Sequence, residues 1–371
     1  MKKTLALILA LVLVLALIAG CGAGGGTDTP AGEPAGEPAP TEPAEPTPET
    51  RTVVDMSGTE VEIPYEVDTY VESWYAHDAV DVMLDQAEGM LVTPCDPETY
   101  AWMYEVCPNM NNALYAEFST EMNLEEIIAL EPDVVFGSKE DYREMFETVG
   151  IPYVNCMFTN YDEMRQSIAL TAEVLGGDAP AIAEKYFTYL DEKIAWVDSI
   201  TSTVPENERK YIAHGSSVYN MGIDGVNTII DNWITLAGGI NVASKEIDGN
   251  LKEFNMEQML AWDPDVIITG GDNQEVADIL ADPAWQSLKA VQNGDVYSNP
   301  RGIFPWDRYG VEEALQFQWA AMLLYPDLFE GYDINAELRN FYKEFLNYDL
   351  TEEQANLILN HLGPNDTLPE G

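Results

Sequence analysis

NLEEIIALEPDVV, residues 123–135, is the stretch that decides the fold, because NMEQMLAWDPDVI, residues 255–267, nearly repeats it. The two copies lie 132 residues apart (255 − 123) and align without a gap, sharing the positions of an Asn, a Glu, an Ala and a Pro-Asp-Val run. In each copy the Asn can cap a helix, the Glu lies in its first turn, and Pro-Asp ends the helix before a buried strand. The repeat therefore predicts one helix–strand unit in each half of the chain.

Short apolar strands alternate with helices on both sides of one long helical stretch. The strand candidates are VDTYVES (67–73), MLVTP (90–94), PDVVFGS (132–138), IPYVNC (151–156), YIAHG (211–215), DVIITGG (265–271) and DVYSNP (295–300), and a hairpin is expected at 52–64. Strands that alternate with helices imply a parallel sheet with helical crossovers, so the predicted fold class is α/β.

One long amphipathic stretch divides the two sets of strands. Apolar residues recur there at helical spacing, namely Ile182, Tyr186, Leu190, Ile194 and Val197. We therefore expect two parallel-sheet α/β lobes, residues 51–177 and 205–371, joined by a single long helix over residues 178–204. A ligand cleft is expected between the lobes, at the carboxyl ends of their strands.

The N-terminus has the layout of an export leader. Lys2 and Lys3 precede an apolar run over residues 5–19, and IAGC at 18–21 resembles the lipobox of bacterial lipoproteins. That resemblance implies a signal peptide over residues 1–20, a lipidated Cys21 and an extracytoplasmic protein anchored to the cell membrane; the alternative is an uncleaved membrane anchor, for which the run is short. Residues 21–50 hold no Val, Ile, Leu or aromatic residue and predict a disordered tether.

The charge of the chain excludes one class of partner. The sequence has 65 Asp and Glu against 17 Lys and Arg, a formal net charge of −48. Such a surface repels phosphate backbones, so nucleic acid binding is not expected. The acidic surface could favour cationic ligands, although solubility or a salty habitat explains it more simply.

The cysteines and the catalytic motifs argue against an enzyme. Cys95 and Cys107 form either a disulfide or two buried free thiols, whereas Cys156 stays unpaired. Their spacing fits no zinc motif, and no HExxH, GxSxG or CxxC is present. We therefore expect no catalytic residues, no metal-ligand set and no resident cofactor.

Five segments together resemble the substrate-binding lipoproteins of ABC importers, in the helix-linked (class III) group. They are DMSGTEVEIP (55–64), NLEEIIALEPDVV, LAGGIN (236–241), NMEQMLAWDPDVIITGG (255–271) and WQSLKAVQNGDVY (285–297). The resemblance implies a monomeric protein that captures a metal chelate, first of all a ferric siderophore, and delivers it to a permease and its ATPase. The alternatives are haem, cobalamin or an oxyanion such as molybdate, or a ligand sensor that is not coupled to transport.

The same resemblance assigns one docking residue to each lobe. A surface Glu on each lobe of these proteins docks against the permease, and the matching positions are Glu125 and Glu257. Alternatively, both side chains only complement a helix dipole, an effect of about 0.3–1 kcal/mol.

Four aromatic loops follow predicted strands at the cleft, at residues 73–77, 93–104, 214–221 and 304–310. The aromatic residues expected to bind ligand are Trp74, Tyr75, Tyr100, Trp102, Tyr219, Trp306 and Tyr309, and the polar ones are Ser216, Asn220, Arg308, His77 and His214. For each aromatic residue the alternative is core packing. For Arg308 the alternative is an ion pair with Asp307 or Glu312. The two histidines either reach a metal in the ligand or are ordinary polar residues, and a metal already wrapped in a chelator favours the second possibility.

Overall fold

The structure is a computed structural model that describes residues 49–120, 122 and 124–368. The predicted signal peptide, Cys21 and nearly all of the tether lie outside the described residues, as does Asn123. Within the described ranges no helix combines the length and the apolar composition needed to cross a bilayer.

The first lobe is a parallel sheet behind an antiparallel hairpin. The hairpin pairs β1 (Thr50–Val54) with β2 (Glu60–Pro64), so the first strand begins at the end of the predicted tether. The strands of the sheet are β3 (Tyr70–Glu72), β4 (Met90–Thr93), β5 (Leu114–Tyr115), β6 (Val134–Gly137) and β7 (Tyr153–Asn155). They lie in the order β5-β4-β3-β6-β7, and every neighbouring pair is parallel.

The second lobe repeats this arrangement. Its strands are β8 (Tyr211–Gly215), β9 (Gly222–Ile223), β10 (Ile240–Asn241), β11 (Lys252–Glu253), β12 (Val266–Thr269) and β13 (Val296–Ser298). The main sheet has the order β10-β8-β12-β13 and is parallel throughout, while β9 and β11 form a small antiparallel pair. Strands β8, β12 and β13 thus correspond to β3, β6 and β7, which confirms two like parallel-sheet lobes.

The helices cover both sheets and connect the lobes. They are α1 (Asp78–Asp85), α2 (Ala101–Val106), α3 (Glu125–Ile128), α4 (Glu140–Glu147), α5 (Tyr161–Leu175), α6 (Ala179–Thr201), α7 (Ile229–Leu236), α8 (Met256–Trp262), α9 (Asn273–Ala281), α10 (Lys289–Asn293), α11 (Glu313–Leu324), α12 (Ile334–Phe345) and α13 (Glu352–Leu359), with 3₁₀ turns at Pro108–Asn112, Glu206–Glu208 and Pro326–Phe329. Helix α6 is the predicted long helix: it packs on α1 and α5 of the first lobe and on α7 and α11 of the second. Its residues Tyr186, Leu190 and Val197 are fully buried, whereas Ile182 and Ile194 are partly exposed.

The repeated segment forms a helix followed by a central strand in both lobes, with a shared left-handed residue between them. Glu131 and Asp263, which are equivalent, both have positive φ, 52° and 44°, and each precedes the Pro-Asp-Val run that leads into a central strand. Asn255 caps α8 in a capping box with Gln258. The corresponding cap by Asn123 falls on a residue that is not described, so it stays a prediction.

We expect the substitution Gly215→Ala to destabilise the second lobe. A Cβ added at Gly215, at the end of β8, would lie 2.1 Å from the carbonyl oxygen of Gly222, and backbone cannot yield as a flexible side chain does. The free energy of unfolding, measured by urea titration, should fall by about 1–3 kcal/mol. Gly363→Ala is the matched control, since its Cβ would be 3.3 Å from the Asp366 carboxylate. Equal stability of the two variants would contradict the packing described for β8.

Candidate ligand cleft

Aromatic side chains of the two lobes meet where the carboxyl ends of the strands face each other. Trp74, which follows β3, lies 5.6 Å from the ring of Tyr309, and Phe158, which follows β7, lies 5.5 Å from it. Tyr309 belongs to the long loop after β13, so this cluster joins both lobes. Its hydroxyl accepts a hydrogen bond from the Asn250 side chain at 2.9 Å. The structure thus brings together two predicted ligand-binding residues, Trp74 and Tyr309, and adds Phe158.

A second aromatic group lies beside the first. Tyr100 of the first lobe stacks on Phe304 of the second with ring centroids 5.8 Å apart and planes 4° apart. Tyr75, which is 40% exposed, also stacks on Tyr100, with ring centroids 6.2 Å apart. The guanidinium group of Arg301 lies 5.3 Å above the Tyr100 ring, and its Nη2 donates to the carbonyl oxygen of Thr99 at 2.8 Å. This second group therefore carries a positive charge into the cleft.

Arg301 was not among the residues predicted from the sequence. It comes directly after Pro300 and before the predicted loop 304–310, so its position in the cleft depends on how the chain leaves β13. Among the described residues, no carboxylate lies within 4.0 Å of its guanidinium nitrogens. The scarcity of basic residues in this sequence was the signal that could have drawn attention to Arg301.

Three of the predicted aromatic residues lie outside the two aromatic groups that join the lobes. Trp102 is buried and donates from Nε1 to the carbonyl oxygen of Leu362, and Trp306 is buried and donates from Nε1 to Glu312. Tyr219 packs on Trp285 and donates its hydroxyl to Asp282. For these residues the structure has the core packing that was the alternative interpretation.

Two polar residues that were predicted to bind ligand, in the loop after β8, lie at the surface. Ser216 and Asn220 are both exposed in the loop after β8. The Asn220 side chain donates to Ser217 Oγ at 2.7 Å. Among the described residues, neither side chain takes part in the two aromatic groups that span the cleft.

His77 is buried beneath the first aromatic group. Its ring stacks under Trp74, with centroids 6.1 Å apart and planes 9° apart. Nδ1 lies 2.6 Å from Glu72 Oε2, and Nε2 lies 2.9 Å from Thr171 Oγ1. Because Trp74 covers it, His77 supports the cleft and does not face a ligand in it.

His214 is the centre of a buried, charge-balanced cluster in the second lobe. Nδ1 and Nε2 each lie 3.1 Å from a carboxylate oxygen, of Asp224 and Asp307 respectively. Arg308 donates to Asp307 at 2.6 and 2.8 Å and to Asp224 at 3.2 Å. The predicted ion pair of Arg308 with Asp307 is therefore present, and Asp224, rather than Glu312, is its second partner.

The electrostatics of this cluster favour its charged form. Burial acts to lower the pKa of His214, but the contacts with Asp224 and Asp307 outweigh it and raise that pKa. Burial likewise acts to raise the pKa of Asp307, but Arg308 and His214 hold it well below its usual range. Arg308 thus forms ion pairs with two buried carboxylates, and these ion pairs fix the position of the loop that carries Tyr309.

The three cysteines of the described residues form no disulfide. Cys95, Cys107 and Cys156 are buried free thiols. Cys95 Sγ donates to the carbonyl oxygen of Tyr75, and Cys107 Sγ donates to that of Gln86. Of the two alternatives for Cys95 and Cys107, the structure therefore has the buried thiols and not the disulfide.

Comparison with known proteins agrees with this architecture. Residues 108–301 match the family model described as periplasmic binding protein. The chain is 26% identical over 266 residues to the molybdate-binding protein MolA of Haemophilus influenzae, an alignment that covers 65% of this chain and 74% of that protein. It is 26% identical over 196 residues to the Fe(3+)-citrate-binding protein YfmC of Bacillus subtilis, covering 51% of this chain and 60% of the relative. The crystal structure of a periplasmic solute binding protein from Veillonella parvula superimposes with a TM-score of 0.72 at 26% identity, covering 84% and 97% of the two chains.

Glu312 holds the loop 304–310 by hydrogen bonds, and its titration makes the free energy of unfolding depend on pH. Its carboxylate accepts hydrogen bonds from Trp306 Nε1, the Tyr342 hydroxyl and the backbone N–H of Phe304. Burial outweighs these bonds and raises the pKa of Glu312 to about 7. An acid with a raised folded-state pKa stabilises the fold below its unfolded pKa of about 4.3, and that stabilisation is lost as the pH rises through the folded value.

We therefore expect the free energy of unfolding to fall as the pH rises from about 4.5 to about 7. One proton contributes a slope of up to about 1.4 kcal/mol per pH unit in this window. The substitution Glu312→Gln should remove that part of the slope, whatever its constant effect on stability, in urea titrations at several pH values. The exposed Glu253→Gln is the control and should keep the slope. Parallel profiles for all three proteins would contradict the assignment.

Proposed function

The chain belongs to the periplasmic binding protein family, and from this premise we propose that it captures an anionic metal chelate, first of all a ferric siderophore, for an ABC transporter. The observation that carries the proposal is the pair of aromatic groups that join the lobes, one centred on Tyr309 and the other on Tyr100 beneath Arg301. Its relatives are named as solute-binding proteins, and we propose that this chain likewise binds and does not catalyse.

The aromatic groups support a ligand with flat or bulky organic surface. Trp74, Tyr75, Tyr100 and Phe304 offer ring faces or edges from both lobes. Aromatic contacts contribute about 0.5–1.5 kcal/mol each beyond the burial of their area. An incoming chelate would exchange ring-to-ring contacts between the lobes for ring-to-ligand contacts, so its binding would be coupled to the spacing of the lobes.

Arg301 supports a negative charge on that ligand. Because Arg308 is bound to two buried carboxylates, Arg301 is the cleft arginine that can pair with a carboxylate or phenolate of a chelate. Elsewhere the net charge of −48 repels anions, so a cation in the cleft helps to localise one there. Two relatives are named for anionic ligands, molybdate and ferric citrate. Molybdate is therefore the second candidate, since Arg301 suits it as well.

We expect ferric chelates to raise the thermal unfolding temperature of the protein, and Arg301→Gln to weaken that binding about 10- to 100-fold. Ferric citrate, a ferric hydroxamate, haem, cobalamin and molybdate are compared by thermal shift, and the affinity of each hit is measured by titration calorimetry. Arg339→Gln on α12 is the matched control and should bind as the parent does. Binding of molybdate alone would favour the second candidate, and an unchanged affinity in Arg301→Gln would contradict the role of that residue.

Glu125 and Glu257 are proposed to dock the two lobes against the permease. Both are exposed, and both lie in the first turn of the helix that leads into the central strand of a lobe, α3 before β6 and α8 before β12. The helix dipole explains each carboxylate singly. The identical position on two lobes that face the same transporter is what favours docking. A lipid on Cys21 would hold the protein at the membrane where that transporter lies.

The double variant Glu125→Ala, Glu257→Ala should keep its ligand affinity and lose most of the ligand uptake by cells. Uptake of a radiolabelled ligand is measured beside binding by the purified protein. The control is Glu126→Ala with Glu253→Ala, two exposed carboxylates that are not equivalent in the repeat. If uptake survives in the docking variant, these residues do not engage a permease; if deleting the protein leaves uptake intact, the sensor alternative is favoured.

A further inference from the structure

A second group of ionisable side chains lies beneath Trp74, on the side away from the cleft, and does not contact the cleft directly. Glu72 is the last residue of β3, His77 precedes α1, and Asp81 lies in the first turns of α1. All three are fully buried, and so is Asp78 beside them. The ring of Trp74, stacked on His77, separates the group from the cleft.

Asp81 has no hydrogen-bond partner among the described residues. Neither of its two carboxylate oxygens is satisfied, although both are buried, and Oδ2 lies 3.9 Å from His77 Nδ1. Burying an ionised carboxylate without a partner lowers the stability of the fold by several kcal/mol, so native proteins rarely leave one without a neutralising group. The unused oxygens thus require a neutralising species, either a proton on Asp81 or a cation bound between Asp81 and His77.

No basic side chain supplies that charge. In the described part of the chain, the ion-pair contacts of Glu72 and Asp81 are to His77 alone, and no Lys or Arg reaches either carboxylate. The cluster of the second lobe differs, because Arg308 neutralises the carboxylates around His214 there. A single imidazolium can balance at most one carboxylate of the first cluster.

The hydrogen bonds around the group hold two donor atoms in place. The Thr171 hydroxyl donates to the carbonyl oxygen of Ser167 at 3.0 Å, so it accepts from His77 Nε2–H at 2.9 Å. His77 Nδ1 and Glu72 Oε2, 2.6 Å apart, therefore share one proton, which a bound metal ion would displace to take both atoms as ligands. Glu72 Oε1 accepts from the backbone N–H groups of Ser73 and Trp74 at 2.8 and 2.7 Å, which orients the carboxylate. Partners of this kind orient the ligands of metal sites.

We propose that Glu72, His77 and Asp81 bind one divalent transition-metal ion beneath the cleft. Each offers one donor atom, and the three atoms lie within 4.8 Å of one another. One imidazole nitrogen with two carboxylate oxygens suits ions such as Zn²⁺, Co²⁺ or Mn²⁺. The ion neutralises Asp81 and, through His77, fixes the ring of Trp74 in the cleft floor.

The test uses the full-length protein without a polyhistidine tag, stripped of metal by a chelator and then dialysed against Zn²⁺, Mn²⁺ or Co²⁺. We expect one ion per chain by mass spectrometry of the metals, and visible absorption bands when Co²⁺ is bound. Asp81→Asn and His77→Gln should lose the ion. Asp85→Asn, which alters a partly buried carboxylate of α1, and His361→Gln, which alters another histidine, should retain it.

Stability gives a second readout for which Asp81→Asn suffices, should His77→Gln fail to fold. Without metal, Asp81→Asn should raise the unfolding temperature, because it removes an uncompensated carboxylate; with saturating Zn²⁺, it should unfold at a lower temperature than the parent. No stoichiometric ion in the parent, or an ion retained by Asp81→Asn, would overturn the proposal. Because the assay contains neither chelate nor transporter, its outcome is independent of the function proposed for the cleft.

Discussion

One repeated hydrogen-bonding residue sets the register on which both lobes depend. Asp133 Oδ2 accepts from the backbone N–H groups of Asp68 and Thr69 at 3.0 and 2.9 Å, at the start of β3, and Asp265 Oδ2 accepts from Tyr211 N–H at 2.9 Å, at the start of β8. Each Asp stands just before a central strand and so ties that strand to its neighbour. In a parallel pair, a slip of one residue would turn every side chain to the opposite face of the sheet. The hydrogen bonds of Asp133 and Asp265 therefore also fix which residues lie at the carboxyl ends of the strands, where the cleft is.

The repeat made the architecture predictable, since periodicity and turn residues act locally. The lobes, the linking helix and the central strands were all confirmed, and the helix that links them ends at Thr201, near its predicted limit. The C-terminal helices were harder to place. Helix α11 buries Glu313, Gln316 and Gln318 along with its apolar residues, so it has no polar face for a sequence pattern to detect. Contacts that depend on these helices, such as Trp102 with Leu362, could not be foreseen.

The difference between local patterns and contacts made far along the chain also explains which site residues could be predicted from the sequence. Loops that follow strands are a local feature, and the structure brings Trp74, Tyr100 and Tyr309 from three of them together. Whether a given Trp faces the cleft or the core depends on partners far along the chain, and composition cannot separate Trp306 from Trp74. Arg301 was missed because the scarcity of basic residues only draws attention to it: that no carboxylate of the described residues lies within 4.0 Å of its guanidinium nitrogens depends on the folded neighbours.

Charge scarcity links the two buried histidine clusters. Basic residues are scarce in this chain, 17 against 65 acidic ones, and the two clusters differ in whether a basic side chain reaches their buried carboxylates. Arg308 neutralises Asp224 and Asp307, where the loop that carries Tyr309 must be rigid for the cleft to keep its shape. In the described part of the first lobe, no Lys or Arg lies within 4.0 Å of the Asp81 carboxylate, although Trp74 stacks on His77 of the same cluster. A buried histidine thus lies behind each wall of the cleft, and the two clusters differ in what balances the acids around them: Arg308 in the second lobe and, in our proposal, a metal ion in the first.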